Sequence, residues 1–127
     1  MLTVLIVDDS AIMRRMIVKA LDIGGLKLGQ VLQADGGLQA LAILNQQWVD
    51  VVLCDINMPN MNGIELVTKM MNDVLTAKVP VVMITTERSE TRIAQLRDLG
   101  VTAYLNKPFR PEELAKTVRG MLGLDAE

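Results

Sequence analysis

Five short apolar runs alternate with five stretches of helical periodicity along this chain, and that alternation limits the possible folds more than any other feature. The runs are Thr3 to Val7, Gln30 to Ala34, Asp50 to Asp55, Pro80 to Thr85 and Val101 to Leu105. Each has strand length and is bounded by turn or capping residues. Between the first two, Ser10 caps a helix expected to carry Ile12, Met16, Ile17, Ala20 and Leu21 inward, and Gly24-Gly25 ends it. Asp35-Gly36-Gly37 turns the chain into a second helix carrying Leu38, Leu41, Ala42 and Ile43. Asn62 caps a third, bearing Ile64, Val67, Met70 and Met71. Ser89 caps a fourth, with Glu90 in its first turn and Gly100 beyond its end. Pro111 opens a fifth, with Glu112 and Glu113 in its first turn and Leu114, Val118, Met121 and Leu122 inward. Such alternation requires a parallel sheet covered on both faces: a doubly wound, five-stranded α/β fold with five helices.

At 127 residues the chain is expected to form a single domain, 1–127, with a sizeable core. Only 2% of residues are aromatic, so Leu, Val, Ile, Ala and the nine Met must fill that core. A net charge of -2 argues against nucleic acid or an anionic membrane as a direct partner. The absence of histidine excludes imidazole catalysis and His-ligated metal sites. Cys54, alone in the chain and inside an apolar strand, reads as a buried thiol in a reducing compartment. The chain opens directly into a strand and has no apolar run of membrane-spanning length, so a cytoplasmic setting is expected. It stops about a turn after the last helix, from which no attached output domain is expected.

The chemistry lies where the strands end. In an open parallel sheet all carboxyl ends share one edge, and ligands bind there. The first strand delivers Asp8 and Asp9 to that edge, the third Asp55, the fourth Thr85, and the fifth, just past its end, Lys107. Three carboxylates brought together repel unless cations compensate them. Lys107 supplies one positive charge and a divalent ion two more. A ligand set of oxygens favours a hard ion such as Mg²⁺. A carboxylate, Mg²⁺, an ammonium and a hydroxyl together suit phosphoryl transfer, which depends on positioning and charge neutralisation. Arg14 and Arg15 read as a solvated helix face. No G-x-G-x-x-G follows the first strand, which disfavours a dinucleotide fold.

Val7-Asp8-Asp9-Ser10, Asp55 followed by Met58-Pro59 and Asn62-Gly63, Thr85 closing a strand, and Lys107-Pro108-Phe109 together resemble a response-regulator receiver domain. The resemblance covers essentially the whole chain, and Val-Asp-Asp-Ser-Ala-Ile-Met-Arg-Arg is most similar to the single-domain chemotaxis type. It implies a flavodoxin-like strand order, 2-1-3-4-5. It implies that Asp55 is phosphorylated by the phosphohistidine of a sensor histidine kinase, in a two-component phosphorelay. Asp9, Asp55 and the Asn57 carbonyl would bind Mg²⁺, with Asp8 acting mainly through metal-bound water. Lys107 would neutralise the carboxylate and then the phosphoryl oxygens, Thr85 would hydrogen-bond them, and Tyr104 would swing inward behind Thr85. The Lys107-Pro108 bond would be cis. The product would be a binding switch rather than an enzyme, although it assists its own phosphorylation and dephosphorylation. Its output would be a protein contact on the face of the fourth helix, fifth strand and fifth helix, with a flagellar motor switch as one such target and a phosphatase as a further partner.

Some residues depart from the pattern. Thr86 stands where the family prefers a small residue and would narrow access to the phosphoryl group. Asn57 and Glu87 match regulators that lose their phosphoryl group quickly, so the two cues oppose each other. Trp48 precedes the third strand instead of adjoining Asp55, which makes it a poor reporter on the site. The same fold also serves as a phosphate sink, as a shuttle, or as the receiver part of a longer DNA-binding regulator. An Mg²⁺-dependent aspartyl-phosphate phosphatase would instead carry D-x-D-x-[TV] after the first strand, where this chain has Asp-Asp-Ser.

Overall fold

In the computed structural model, which describes residues 1–124, strands and helices alternate as the periodicity predicts. They are β1 (Leu2–Val7), α1 (Ala11–Ile23), β2 (Leu28–Ala34), α2 (Gly37–Leu44), β3 (Val51–Cys54), α3 (Gly63–Met71), β4 (Val81–Thr85), α4 (Glu90–Asp98), β5 (Ala103–Asn106) and α5 (Pro111–Leu122). The strands form one parallel sheet in the order β2-β1-β3-β4-β5. Residues 125–127, on which the expectation of an early stop rests, lie outside the described residues. Among those described, no helix is long and apolar enough to cross a membrane.

Side chains on a strand alternate between faces, and here that alternation sorts the core into two halves. Val4, Ile6, Val51, Leu53, Val82 and Ile84 pack on one face with Ile17, Ala20 and Leu21 of α1 and Leu114, Ala115 and Val118 of α5. Leu5, Val7, Val52, Cys54, Val81 and Met83 pack on the other with Ala40, Leu44, Leu66, Val67, Met70 and Leu96. The three central strands are therefore apolar apart from Thr3 near the start of β1 and Thr85 at the end of β4, as burial on both sides demands. Met58, Met61, Met70 and Met83 are buried, so methionine does replace aromatic filler in much of the core.

Helix starts follow the caps. Ser10 Oγ accepts the Met13 N–H at 3.1 Å, and Asn62 and Glu65 form a reciprocal capping box on α3. Two inner faces differ from expectation. On α1, Ile12 is 65% exposed and Met16 is exposed too. Ile12 lies about 140° round the helix from Ile17, so one stripe cannot bury both. On α2 the buried residues are Gly37, Ala40 and Leu44, while Leu38 and Ala42 face water and Leu41 and Ile43 are half-buried. A Cβ at Gly37 would collide with Met61 Sδ, so the smallest side chains take the side of closest approach. Strand limits also shift. Pro80 lies outside the β4 ladder although its carbonyl still accepts the Val52 N–H at 2.9 Å, and β2 begins two residues early, at Leu28. β5 starts at Ala103, leaving Val101 buried but unpaired with β4.

Candidate functional site

Residues just beyond the strands remain tied to the sheet through their backbones, and this fixes the acids at its carboxyl edge. The Asp8 N–H donates to the Ala34 carbonyl at 3.1 Å, and the Asp55 N–H to the Val7 carbonyl at 3.0 Å. Asp8 is 2% exposed and Asp55 8%. Each carboxylate is steadied by the loop that follows it. Asp8 Oδ1 accepts the Ser10 N–H at 2.9 Å, and Asp55 Oδ1 accepts the Asn57 N–H at 3.3 Å. Gly63 lets α3 begin directly against Asp55, donating its N–H to the Ile56 carbonyl at 2.8 Å. A Cβ there would collide with the Asp55 carbonyl oxygen. Asn60, in the same loop, adopts a left-handed conformation with φ of 69°, which asparagine tolerates better than most residues.

Lys107 joins the two buried acids. Its N–H donates to the Thr85 carbonyl at 3.0 Å, so it too stays in register with the sheet. Its Nζ donates to Asp8 Oδ2 at 2.9 Å and to Asp55 Oδ2 at 3.2 Å. Burial works to lower the ammonium's pKa. The Asp8 hydrogen bond and the charges of Asp55 and Asp8 more than offset this, and the pKa rises above the ordinary lysine value. The Lys107-Pro108 bond is cis.

Asp9, exposed at the rim, completes the cluster: one oxygen each of Asp8, Asp9 and Asp55 lie within 4.8 Å of one another. One ammonium leaves two of the three negative charges uncompensated, which is the charge of a divalent cation. The donors are all oxygen and one is open to water, a set that fits a hard ion retaining part of its hydration shell. Cys54 offers no competing soft ligand. Its Sγ donates to the Asp55 carbonyl at 3.1 Å, and burial, reinforced by the charges of Asp55 and Asp8, pushes its pKa well up. It is the buried, protonated thiol the sequence implies.

Thr85 ends β4 and is 3% exposed. Its Oγ1 accepts the Glu87 N–H at 3.1 Å, and the hydroxyl retains its own proton to donate. Tyr104 lies beside Met83 in the β4–β5 register. Its hydroxyl is 2.8 Å from the Val101 carbonyl and 3.2 Å from that of Ile93, so its hydrogen bonding runs to α4 and the loop after it. The Asn57 side chain points outward, where Oδ1 accepts from Arg92 Nη1 at 3.4 Å.

Two arginines belong to this neighbourhood although the sequence did not assign them to it. Arg14 donates through Nη1 to the Asp8 carbonyl and through Nε to Gln33 Oε1 at 3.0 Å. The solvated-face expectation holds for Arg15, which is exposed, but not for Arg14. Arg92, in the first turn of α4, pairs its Nε with Glu87 Oε1 at 3.3 Å while reaching Asn57. Arg14 falls within the Val7 to Arg15 run but was given no role there, Arg92 lies in no motif, and both reach the site through the tertiary placement of their helices.

Comparison with known proteins agrees with this geometry. The chain matches the response regulator receiver domain over residues 4–119. It is 38% identical over 122 residues to the chemotaxis protein CheY homolog of Campylobacter jejuni, covering 94% of this chain and 91% of that protein. It is 36% identical over 120 residues to the phosphate regulon transcriptional regulatory protein PhoB of Pseudomonas aeruginosa, but spans only 51% of its length. The structure of chemotaxis protein CheY4 of Vibrio cholerae matches with a TM-score of 0.86 at 37% identity, covering 96% of this chain and 99% of that one. The acids, the lysine that bridges them and the strand order all fall within the matched span, and the chain belongs to the response-regulator receiver family of two-component phosphorelays.

Proposed function

We propose that this protein is an Asp55 phosphoacceptor whose phosphorylation switches its binding to a partner protein, in chemotaxis or motility. The observation that carries the reading is the Lys107 ammonium held between Asp8 and Asp55, with Asp9 in the same cluster. Asp9, Asp55 and the Asn57 carbonyl would hold Mg²⁺, with Asp8 acting through its water; when bound, the ion neutralises charge on the transferring group.

The chain's own residues do the rest. An Asp55 oxygen attacks phosphorus of a kinase phosphohistidine, forming the P–O bond as the P–N bond breaks. The electron pair leaves with the imidazole nitrogen, which is protonated on departure. Lys107 holds the Asp55 carboxylate in place and meets the incoming phosphoryl oxygens with its positive charge. Thr85 donates its hydroxyl proton to one of those oxygens. Tyr104, on β5, follows Thr85 by exchanging its backbone carbonyl partners for an inward position, which changes the face formed by α4, β5 and α5. In this role the protein is a stoichiometric switch, not a turnover catalyst. Likeness over nearly the full length of chemotaxis proteins supports that setting, with a flagellar motor protein as the kind of target. Likeness to half of a transcriptional regulator supports a second reading with the same Asp55 chemistry, in which a separate domain supplies the output.

The test is intact-mass spectrometry after incubation with a small acyl phosphate, with and without Mg²⁺, on wild type and Asp55→Asn. The expected result is a gain of one phosphoryl group that requires both Mg²⁺ and Asp55. No adduct, together with no beryllofluoride binding in Mg²⁺, would overturn the phosphoacceptor reading.

A further inference from the structure

Phosphorylation upsets the charge balance of the site. Three carboxylates are matched by one ammonium and one divalent ion, but an acyl phosphate on Asp55 replaces one negative charge with about two. The filled site is then one cation short. Two guanidinium groups touch site residues, and their present partners distinguish them. Arg14 is engaged on the β2 side, by the Asp8 carbonyl and Gln33. Arg92 stands across the mouth of the site. Its Nη1 donates to Asn57, whose N–H is bonded to Asp55 Oδ1. Its Nε pairs with Glu87, whose N–H is bonded to Thr85 Oγ1. The guanidinium therefore spans the two loops that follow the phosphoacceptor and its hydroxyl partner.

From this placement we propose that Arg92 is a phosphoryl-binding residue held in reserve by Glu87. When Asp55 carries a phosphoryl group, the guanidinium leaves Glu87 and Asn57 and takes phosphoryl oxygens through its planar fork. The exchange is inexpensive, because the Arg92–Glu87 pair is partly exposed, at 39% and 20% of the side-chain surfaces. It also carries information. Arg92 is in the first turn of α4, whose cap bond from the Arg92 N–H to Ser89 Oγ is long, at 3.4 Å. Movement of the guanidinium toward Asp55 thus draws the start of α4 with it, giving the acyl phosphate a route to that face alongside Thr85 and Tyr104.

The proposal rests on Asp55 as phosphoacceptor, and one experiment separates the two claims. Beryllofluoride, a phosphoryl mimic, is titrated by calorimetry in saturating Mg²⁺ into wild type, Arg92→Gln, Arg92→Lys and Glu87→Gln. Mg²⁺ affinity is measured separately for each. Arg92→Gln is expected to weaken beryllofluoride binding about fivefold while leaving Mg²⁺ affinity within about twofold. Arg92→Lys, which keeps the charge but loses the fork, falls between, and Glu87→Gln binds more tightly than wild type. Wild-type binding with Arg92→Gln unchanged, or with its Mg²⁺ affinity falling in parallel, overturns the phosphoryl-binding role alone. Glu87→Gln binding no tighter than wild type overturns the reserve. No binding by wild type overturns the phosphoacceptor reading itself.

Discussion

Asp50 and Asp55 flank the same strand, and their partners give them opposite characters. Asp55 shares an ammonium with a second acid, whereas Asp50 is satisfied by neutral donors: the Thr3 N–H at 2.8 Å and the Trp48 indole N–H at 2.8 Å. The Thr3 bond and then the Trp48 bond lower its pKa, against a smaller opposing effect of burial. A depressed folded-state pKa means that the stability it contributes is present above the ordinary value of 3.8 and is lost as pH falls through the folded value. Trp48 is 73% exposed and is the chain's sole tryptophan, so its emission reports directly on this bond. We expect its emission to hold steady from neutral pH down to the ordinary carboxylate range and to change below it. Asp50→Asn should abolish that transition and cost about 1 kcal/mol in urea unfolding at pH 7. The four residues of β3 separate Asp50 from Asp55 by five strand rises, roughly 16 Å, so Mg²⁺ should leave Trp48 emission unchanged. An Mg²⁺-dependent emission change in wild type would contradict this separation.

At the scale of elements, the backbone meeting of β3 and α3 is the tightest constraint on the site. A Cβ on Gly63 would collide with the Asp55 carbonyl oxygen and stand 2.8 Å from Ile56 Cα and 2.9 Å from Met83 Cε. The first two are backbone atoms and cannot rotate away. Gly63→Ala should therefore cost about 1–3 kcal/mol in urea unfolding and also weaken Mg²⁺ binding, because relief requires moving the Asp55 peptide. Wild-type stability with wild-type Mg²⁺ affinity would show that α3 can retreat freely. This junction was legible in the sequence, since an apolar run, an acid and then Asn62-Gly63 allow few other arrangements. The face of α2 was not. From Gly37 to Leu44 only Gln39 is polar, so periodicity selects no side, and the approach of Met61 does. The acids and Lys107 were legible because each directly follows its strand. Arg14 and Arg92 were not, because a long side chain's target depends on where its helix sits in three dimensions.

In the whole molecule the two half-cores are complete without the edge cluster, so the domain is stabilised by its apolar faces and strained at its acids. This makes Mg²⁺ binding a stability term that can be separated from folding itself. An ion that binds only the folded state adds about 2.7 kcal/mol at a hundredfold excess over its dissociation constant. Asp9 is the acid whose removal tests this best, because it is exposed and shares neither of the Lys107 bonds. Without Mg²⁺, Asp9→Asn should be more stable than wild type by roughly 1 kcal/mol or less, through relief of like-charge repulsion discounted for solvent screening. With Mg²⁺ the order should reverse, since wild type gains the binding increment and the variant loses most of it. Urea unfolding of both proteins, with Mg²⁺ or with chelator at matched ionic strength, measures all four values, and the matched salt removes general screening as a cause. Parallel shifts in the two proteins would place the Mg²⁺ effect away from the acids. A crossing of the two stabilities would locate both the strain and its relief at the carboxyl edge of the sheet.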